Sequence, residues 1–364
     1  WFNAEGATVR NIELVGGYYY CLKLEAGNAT VRGSVLHGSG RDCIKIVPNA
    51  DNILIQECEI YESGQRDNSN AEGIDNVNAD DMVVRGCYNH DIATNGVYTK
   101  GGARNTLIEN NLIMDCGGGI LLGYFTDLQF FDPIENPDFY DSIDGIVRNN
   151  YVIRTEGPGI GMFAARCPEV VNNTLIDVAN SSRGGIHFEP IENDGQLRYV
   201  VDPKVHNNIV TLAARYISTV IEDSNPAMTG NISLSHNCYH EADGNLTIRY
   251  GGGQISYTQW QNSVPGGDAN SMVNDPLLGT DYRLLANSPA IDAGMNIPTN
   301  LLDYDYDQRT GLTDIGADET NDSCPELAIP PASGIIGTGE PCEGSSVDID
   351  NPLHPAYFSW QTFP

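Results

Sequence analysis

Positive charge is scarce in this chain: 19 lysines and arginines stand against 49 aspartates and glutamates in 364 residues, a formal net charge of −30. That balance excludes unassisted binding to nucleic acid, because the field of the whole chain repels a polyanion. A partner is therefore neutral, or divalent cations stand between it and the chain. A generally acidic surface and specific calcium sites both account for the excess. No apolar run approaches the roughly 18 residues that a membrane-spanning helix needs, so no transmembrane segment is expected. Aromatic filler is thin, with nine Phe and three Trp, and there is no phosphate-binding loop, Ser-His-Asp ordering or CxxC zinc pattern.

What the chain does have is a repeat. Nine segments share a hydrophobic strand, a small polar residue expected to point inward, and a second hydrophobic pair: VRNIEL (Asn11), VRGSVL (Ser34), IQECEI (Cys58), VRGCYN (Cys87), IENNLI (Asn111), VRNNYV (Asn150), VNNTLI (Asn173), VHNNIV (Asn208) and LSHNCY (Cys238). Subtracting successive positions gives 23, 24, 29, 24, 39, 23, 35 and 30 residues. A minimum near 23 with insertions of varying length marks a solenoid, whose units bury their apolar faces only by stacking. An inward Asn, Ser or Cys at one repeated position forms a ladder whose members satisfy one another. The expected fold is all-β, a right-handed parallel β-helix of about nine or more coils over residues 1–245, with terminal coils and a cap over 246–320 and a Pro/Gly-rich linker and tail over 321–364. Within the second region, YTQWQN (257–262) reads as a capping turn of helix.

Nine cysteines are an odd number. Cys21 and Cys43 hold matching places in successive coils, as do Cys58 and Cys87, and stacked strands about 4.8 Å apart lie within disulfide reach. A reduced ladder of small thiols is the other reading. Cys324 and Cys342 flank a Pro/Gly loop and are expected to be bridged, in an oxidising compartment. Trp1 is no initiator, so the numbering is expected to begin after a removed signal peptide or an upstream segment.

A second strand of each coil aligns as CLKLE, CIKIV, GIDNV, GVYTK, GILLG and GIHFE. Alternation sends Leu22, Ile44, Ile74, Val97, Ile120 and Ile186 inward and Lys23, Lys45, Asp75, Tyr98, Leu121 and His187 outward. On this outward strip Asp42, Glu72 and Asp75 fall on adjacent coils, and Asp80 and Asp81 enter the following turn. Several hard oxygens at one patch suit Ca²⁺. Lys100 follows one coil on, with Arg104 at its turn. His187 and Glu189 form a second, exposed pair suited to proton transfer, and His90-Asp91 reads as structural. Insertions at 123–145 and 190–203 are expected to wall a groove. Asp303, Asp305 and Asp307 alternate as in a calcium loop, although Gln308 stands where an EF-hand requires Gly.

Residues 1–320, with SPAIDAG at 288–294 and DIGA at 314–317, resemble bacterial secreted right-handed β-helix repeat proteins. That resemblance implies an extracellular or cell-surface setting. The acidic patch beside a lysine is similar to the active site of β-helical polysaccharide lyases, in particular the calcium-dependent pectate lyases with a lysine base. Asp42 matches the aspartate of the preceding coil, Glu72-Gly73-Ile74-Asp75 the acid-Gly-X-Asp calcium motif, and Asn95-Gly96-Val97-Tyr98-Thr99-Lys100-Gly101-Gly102 the base segment. Ala71 stands where the motif has a second acid, and Lys100 is one or two residues off the usual place.

The resemblance implies a polysaccharide partner and calcium-assisted β-elimination. Ca²⁺ held by Asp42, Glu72, Asp75, Asp80 and Asp81 would act as Lewis acid, with Lys100 as base and Arg104 or Lys45 stabilising enolate-like charge. Lys45, Tyr98, Tyr140 and Glu189 are the expected substrate contacts, and His187 the alternative base. The rival class is a non-catalytic surface solenoid that binds glycans or self-associates, end to end or laterally, through unsatisfied terminal edges.

Overall fold

The structure is a computed structural model that describes residues 1–213 and 219–320. The expected tail over 321–364, and with it the Cys324–Cys342 bridge, lies outside the described residues. The chain is a right-handed parallel β-helix. Three long sheets of nine, ten and ten strands run its length. Each coil gives one short strand to each: Thr30–Arg32, Val35–His37 and Ile44–Ile46 form one such set. The inward residues stack in register from coil to coil, Val31 on Ile55 on Val84 on Ile108 on Val147 in the first sheet, all fully buried. Their β-branched side chains fit a pleated surface, and each contributes about 1.5–3 kcal/mol by burial.

The corner between the first two sheets explains the doubled asparagines. Asn110, Asn149, Asn172 and Asn207 take left-handed φ values of 55°, 53°, 52° and 56°, which Asn tolerates better than most residues. The next residue then turns inward. Asn150 Oδ1 accepts the Asn111 N–H at 3.0 Å, Asn173 Oδ1 that of Asn150 at 3.0 Å, Asn208 Oδ1 that of Asn173 at 3.0 Å, and Asn237 Oδ1 that of Asn208 at 2.9 Å. Their amide groups also donate along the column.

Two expected members are off by one residue. Asn11, with φ 54°, is the corner and Ile12 takes the ladder place, its N–H donating to Ser34 Oγ at 3.4 Å; at the other end Asn237 takes the place expected for Cys238. The possible Cys21–Cys43 and Cys58–Cys87 bridges are not formed, since all seven described cysteines are free. Cys58 and Cys87 instead aim their thiols at the Val31 and Ile55 carbonyls at 3.6 and 3.7 Å, as Asn111 Nδ2 donates to Val84 O at 3.0 Å.

Helix Tyr257–Ser263, with a Ser256/Gln259 capping box, buries Trp260 against Tyr250 near the last coil. Beyond it, residues 274–320 do not extend the stack as the expected terminal coils would. They turn back along the outside of the solenoid. The left-handed asparagines hold them: Asn207 Nδ2 donates to Met295 O at 2.8 Å, Asn172 to Asp314 O at 3.1 Å, Asn149 to Leu302 O at 2.8 Å and Asn110 to Asp303 O at 2.6 Å. Among the described residues no helix is long and apolar enough to cross a membrane.

Candidate functional site

The outward positions of the third sheet form one column in register: Lys23, Lys45, Asp75, Tyr98, Leu121, Gly161, His187 and Glu222. Its middle is apolar. Tyr98, Leu121 and Phe163 form a cluster covered by Tyr124 and Ile191, one from each insertion. The 123–145 insertion therefore lies over the strip rather than only beside it. A polar site remains on either side.

At the first, Asp42 stands one coil before Glu72 and accepts the Glu72 N–H on Oδ1 at 3.1 Å. The coils approach closely here: a Cβ on Gly73 would lie 2.5 Å from Gly96 O, so no other residue fits between Glu72 and Ile74. Asp42, Glu72 and Asp75 each offer a carboxylate oxygen within 4.8 Å of the others, and their exposures are 1%, 5% and 0%. Burial, then the charges of Asp75 and Glu72, pushes the Asp42 carboxyl well up, and burial with the Asp75 charge raises that of Glu72. Asp42 Oδ2, Glu72 Oε2 and Asp75 Oδ1 are buried without a hydrogen bond. Asn95 Nδ2 reaches Glu72 Oε1 at 3.5 Å.

Two lysines flank the trio. Lys45 Nζ pairs closely with Asp75 Oδ2 and lies 3.7 Å from Asp42 Oδ2. Burial lowers its pKa, but the Asp75 and Asp42 charges outweigh that and hold it above the ordinary lysine value. Lys100 Nζ lies 3.5 Å from Asp75 Oδ1 and 4.1 Å from the Tyr98 ring centroid.

Other expected members lie elsewhere. Tyr98, expected to face substrate, is 3% exposed, and its hydroxyl is committed to Phe125, donating to its carbonyl at 3.0 Å and accepting its N–H at 2.9 Å. Arg104 reaches the insertion, Nη2 donating to Glu135 O at 2.6 Å, while its backbone N–H donates to Asp80 Oδ1 at 2.8 Å. Asp81 Oδ1 accepts from Asn105 Nδ2 at 3.0 Å. Asp80 and Asp81 are thus tied to the next turn and are not among the converging carboxylates. Tyr140 is half-buried, with the Arg166 guanidinium 5.7 Å from its ring.

The second site holds His187, three coils on from Tyr98 in the register. Expected to be exposed, it is 1% exposed, with Nε2 3.1 Å from Glu189 Oε2 and Nδ1 3.8 Å from Glu222 Oε2. Hydrogen bonding to His187 and then the Arg183 charge outweigh burial and lower the Glu189 pKa. Glu222 escaped the sequence reading because its strand, Thr219–Asp223, lacks the Gly-hydrophobic opening shared by its neighbours.

A second carboxylate trio comprises Asp303, Asp305 and Asp318 rather than the expected Asp303, Asp305 and Asp307. Here the Arg283 guanidinium pairs closely with both Asp305 and Asp318. Asp303 Oδ1 accepts the N–H groups of Asp305 and Asp307 at 2.9 and 2.8 Å. The positive partner is built into the chain.

Residues 20–190 match the family model described as right handed beta helix region. No curated protein matches the chain. Among solved structures, the mannuronan C-5 epimerase AlgE6 A-module of Azotobacter vinelandii is 18% identical over 61% of this chain and 57% of its own, with TM-score 0.46. Pectate lyase Pel9A is 16% identical over 87% of this chain and 70% of its own, TM-score 0.42. An alginate lyase from Paenibacillus sp. str. FPU-7 is 15% identical over 74% of this chain and 93% of its own, TM-score 0.39. The chain thus spans little more than half the length of the epimerase module. These likenesses concern the fold.

Proposed function

We propose that this β-helix is an extracellular carbohydrate-active protein that cleaves a uronate-containing polysaccharide by calcium-assisted β-elimination, with Lys100 as base. The carrying observation is the buried Asp42/Glu72/Asp75 trio with three orphan oxygens and a lysine amine at its edge. An all-oxygen, all-anionic donor set fits a hard divalent cation, and the orphan oxygens supply the lone pairs. Bound there, Ca²⁺ would neutralise the uronate carboxylate and so acidify the proton α to it.

The chain's own side chains divide the remaining work. Lys45, held charged between Asp75 and Asp42, stays a cation and stabilises negative charge developing on the substrate carboxylate. Lys100 touches Asp75 only at 3.5 Å and takes the C5 proton on Nζ. The C5–H electron pair becomes the C4–C5 double bond while the C4–O bond breaks, and the leaving oxygen takes a proton from water. The covered saddle of Tyr98, Leu121 and Phe163 bounds this site on the side of His187.

The test is the rise in ultraviolet absorbance as pectate or alginate is cut to unsaturated ends, with calcium and with chelator. Lys100→Ala should lower kcat by about 10²–10⁴ with an unchanged melting temperature. Full activity in that variant moves the base elsewhere, with His187 next to be replaced. Absence of cleavage of any uronate by the unmodified chain replaces this reading with that of a non-catalytic glycan-binding solenoid.

A further inference from the structure

The corner just before the acidic trio carries a surface of opposite character. Tyr18 and Tyr19 are 65% and 39% exposed, and their rings meet edge to face at 4.7 Å. The Arg66 guanidinium lies 3.6 Å from the Tyr18 ring centroid and 5.1 Å from that of Tyr19, and Arg41 lies 5.1 Å from Tyr19. Backbone bonds stack the three loops that bring them together: Arg41 N–H donates to Tyr19 O at 2.6 Å and Arg66 N–H to Gly40 O at 3.1 Å.

This surface borders the proposed cation site. Arg41 directly precedes Asp42, and Tyr20, the residue after Tyr19, lies in the fields of Lys45, Asp42 and Arg41. Arg41 pairs with Asp67 at 2.9 Å through Nη2, while its buried Nε has no hydrogen-bond partner. Arg66 is exposed and forms no ion pair among the described residues. In a chain with 49 acidic and 19 basic residues, a guanidinium without a carboxylate keeps its charge for an anion from outside.

We propose that Tyr18, Tyr19, Arg41 and Arg66 form a binding subsite for one uronate unit of an acidic polysaccharide. The apolar face of the sugar rests on the exposed tyrosine surface and its carboxylate meets the guanidinium of Arg66. Arg41 braces the platform through Tyr19. The subsite rests on the reading of the acidic trio as a uronate-cleaving site, and adds to it an anchor for the chain one to two coils toward the amino-terminal end. It also explains how a protein of charge −30 draws in a polyanion: the cations are concentrated where the substrate lands.

The experiment is calorimetric titration of the unmodified protein, Arg66→Gln and Tyr18→Ala with trigalacturonate, trimannuronate and methyl-esterified trigalacturonate, each in chelator and in calcium. Both side chains are exposed, so the melting temperature of each variant should match the parent. The unmodified protein should bind at least one acidic trimer in chelator, and each variant should bind it about tenfold or more weakly. The methyl ester should bind the unmodified protein no better than the acid binds Arg66→Gln. In calcium, both variants should raise KM and leave kcat unchanged.

Equal binding by variants and parent, equal binding of ester and acid, or no binding by the unmodified protein overturns the subsite. Weakened binding without cleavage of any uronate keeps the subsite and removes the lyase. Cleavage with unchanged KM in both variants does the reverse.

Discussion

Among the described residues, two places gather three carboxylates within 4.8 Å of one another, and they have opposite fates. In the returning segment, Asp303 is saturated by backbone N–H groups of Asp305, Asp307 and Glu319, and the Arg283 guanidinium sits between Asp305 and Asp318. On the third sheet, Lys45 pairs closely with Asp75 and Lys100 lies 3.5 Å from it, yet Asp42, Glu72 and Asp75 keep three buried oxygens without hydrogen bonds. Converging acids therefore do not define an ion site by themselves. What decides is whether the chain's own donors leave carboxylate oxygens without a hydrogen bond.

The comparison breaks most visibly if that internal cation is removed. Arg283→Met leaves Asp305 and Asp318 partly buried and unpaired, and should cost about 3–5 kcal/mol in denaturant unfolding. Saturating calcium should restore little of it, because the backbone has already claimed Asp303. At the other trio, calcium at a hundred times its Kd should stabilise the unmodified protein by about 2.7 kcal/mol, read as a raised melting temperature.

A smaller effect follows from pH. Burial, offset by Arg283, holds the Asp318 pKa up at about 7 against the 3.8 of an ordinary aspartate, and that of Asp42 is raised as well. Between those limits the folded state keeps protons that the unfolded chain has lost, so stability falls as pH rises from about 4 to about 7. In chelator, the melting temperature should rise as pH is lowered through this window. Calcium should remove the part due to Asp42 and Glu72, because a bound cation favours their carboxylates, and Asp318→Asn should remove the part due to Asp318. The smallest effect is expected for Lys45→Met. It deletes the amine that competes for Asp42 and Asp75, and should tighten calcium binding several-fold, measured by titration.

The legible part of this structure is the part that repeats. Alternation of Leu22, Ile44, Ile74 and Val97 set the register of the third sheet, and that register alone brought Asp42 beside Glu72 across 30 residues. The polar ladder from Asn111 to Asn208 was visible for the same reason. Its ends slipped by one because a left-handed corner and an inward ladder position both favour Asn, so Asn11 imitated a rung and Asn237 was passed over for Cys238.

The returning segment carries no period at all. It is held by asparagine amides that donate to its backbone carbonyls, and any residue can supply a carbonyl. For that reason neither its path nor the arrival of Arg283 between two aspartates could be read from spacing. Burial of Tyr98 was hidden similarly, since alternation tells which way a side chain leaves the coil and not what a distant insertion lays over it.

The most direct measurement is calorimetric titration of calcium into the unmodified protein, Glu72→Gln and Asp318→Asn. Ion binding that is weakened about tenfold or more in Glu72→Gln and unchanged in Asp318→Asn is the predicted result. Equal binding by Glu72→Gln and the unmodified protein, or a loss of binding confined to Asp318→Asn, would contradict the account.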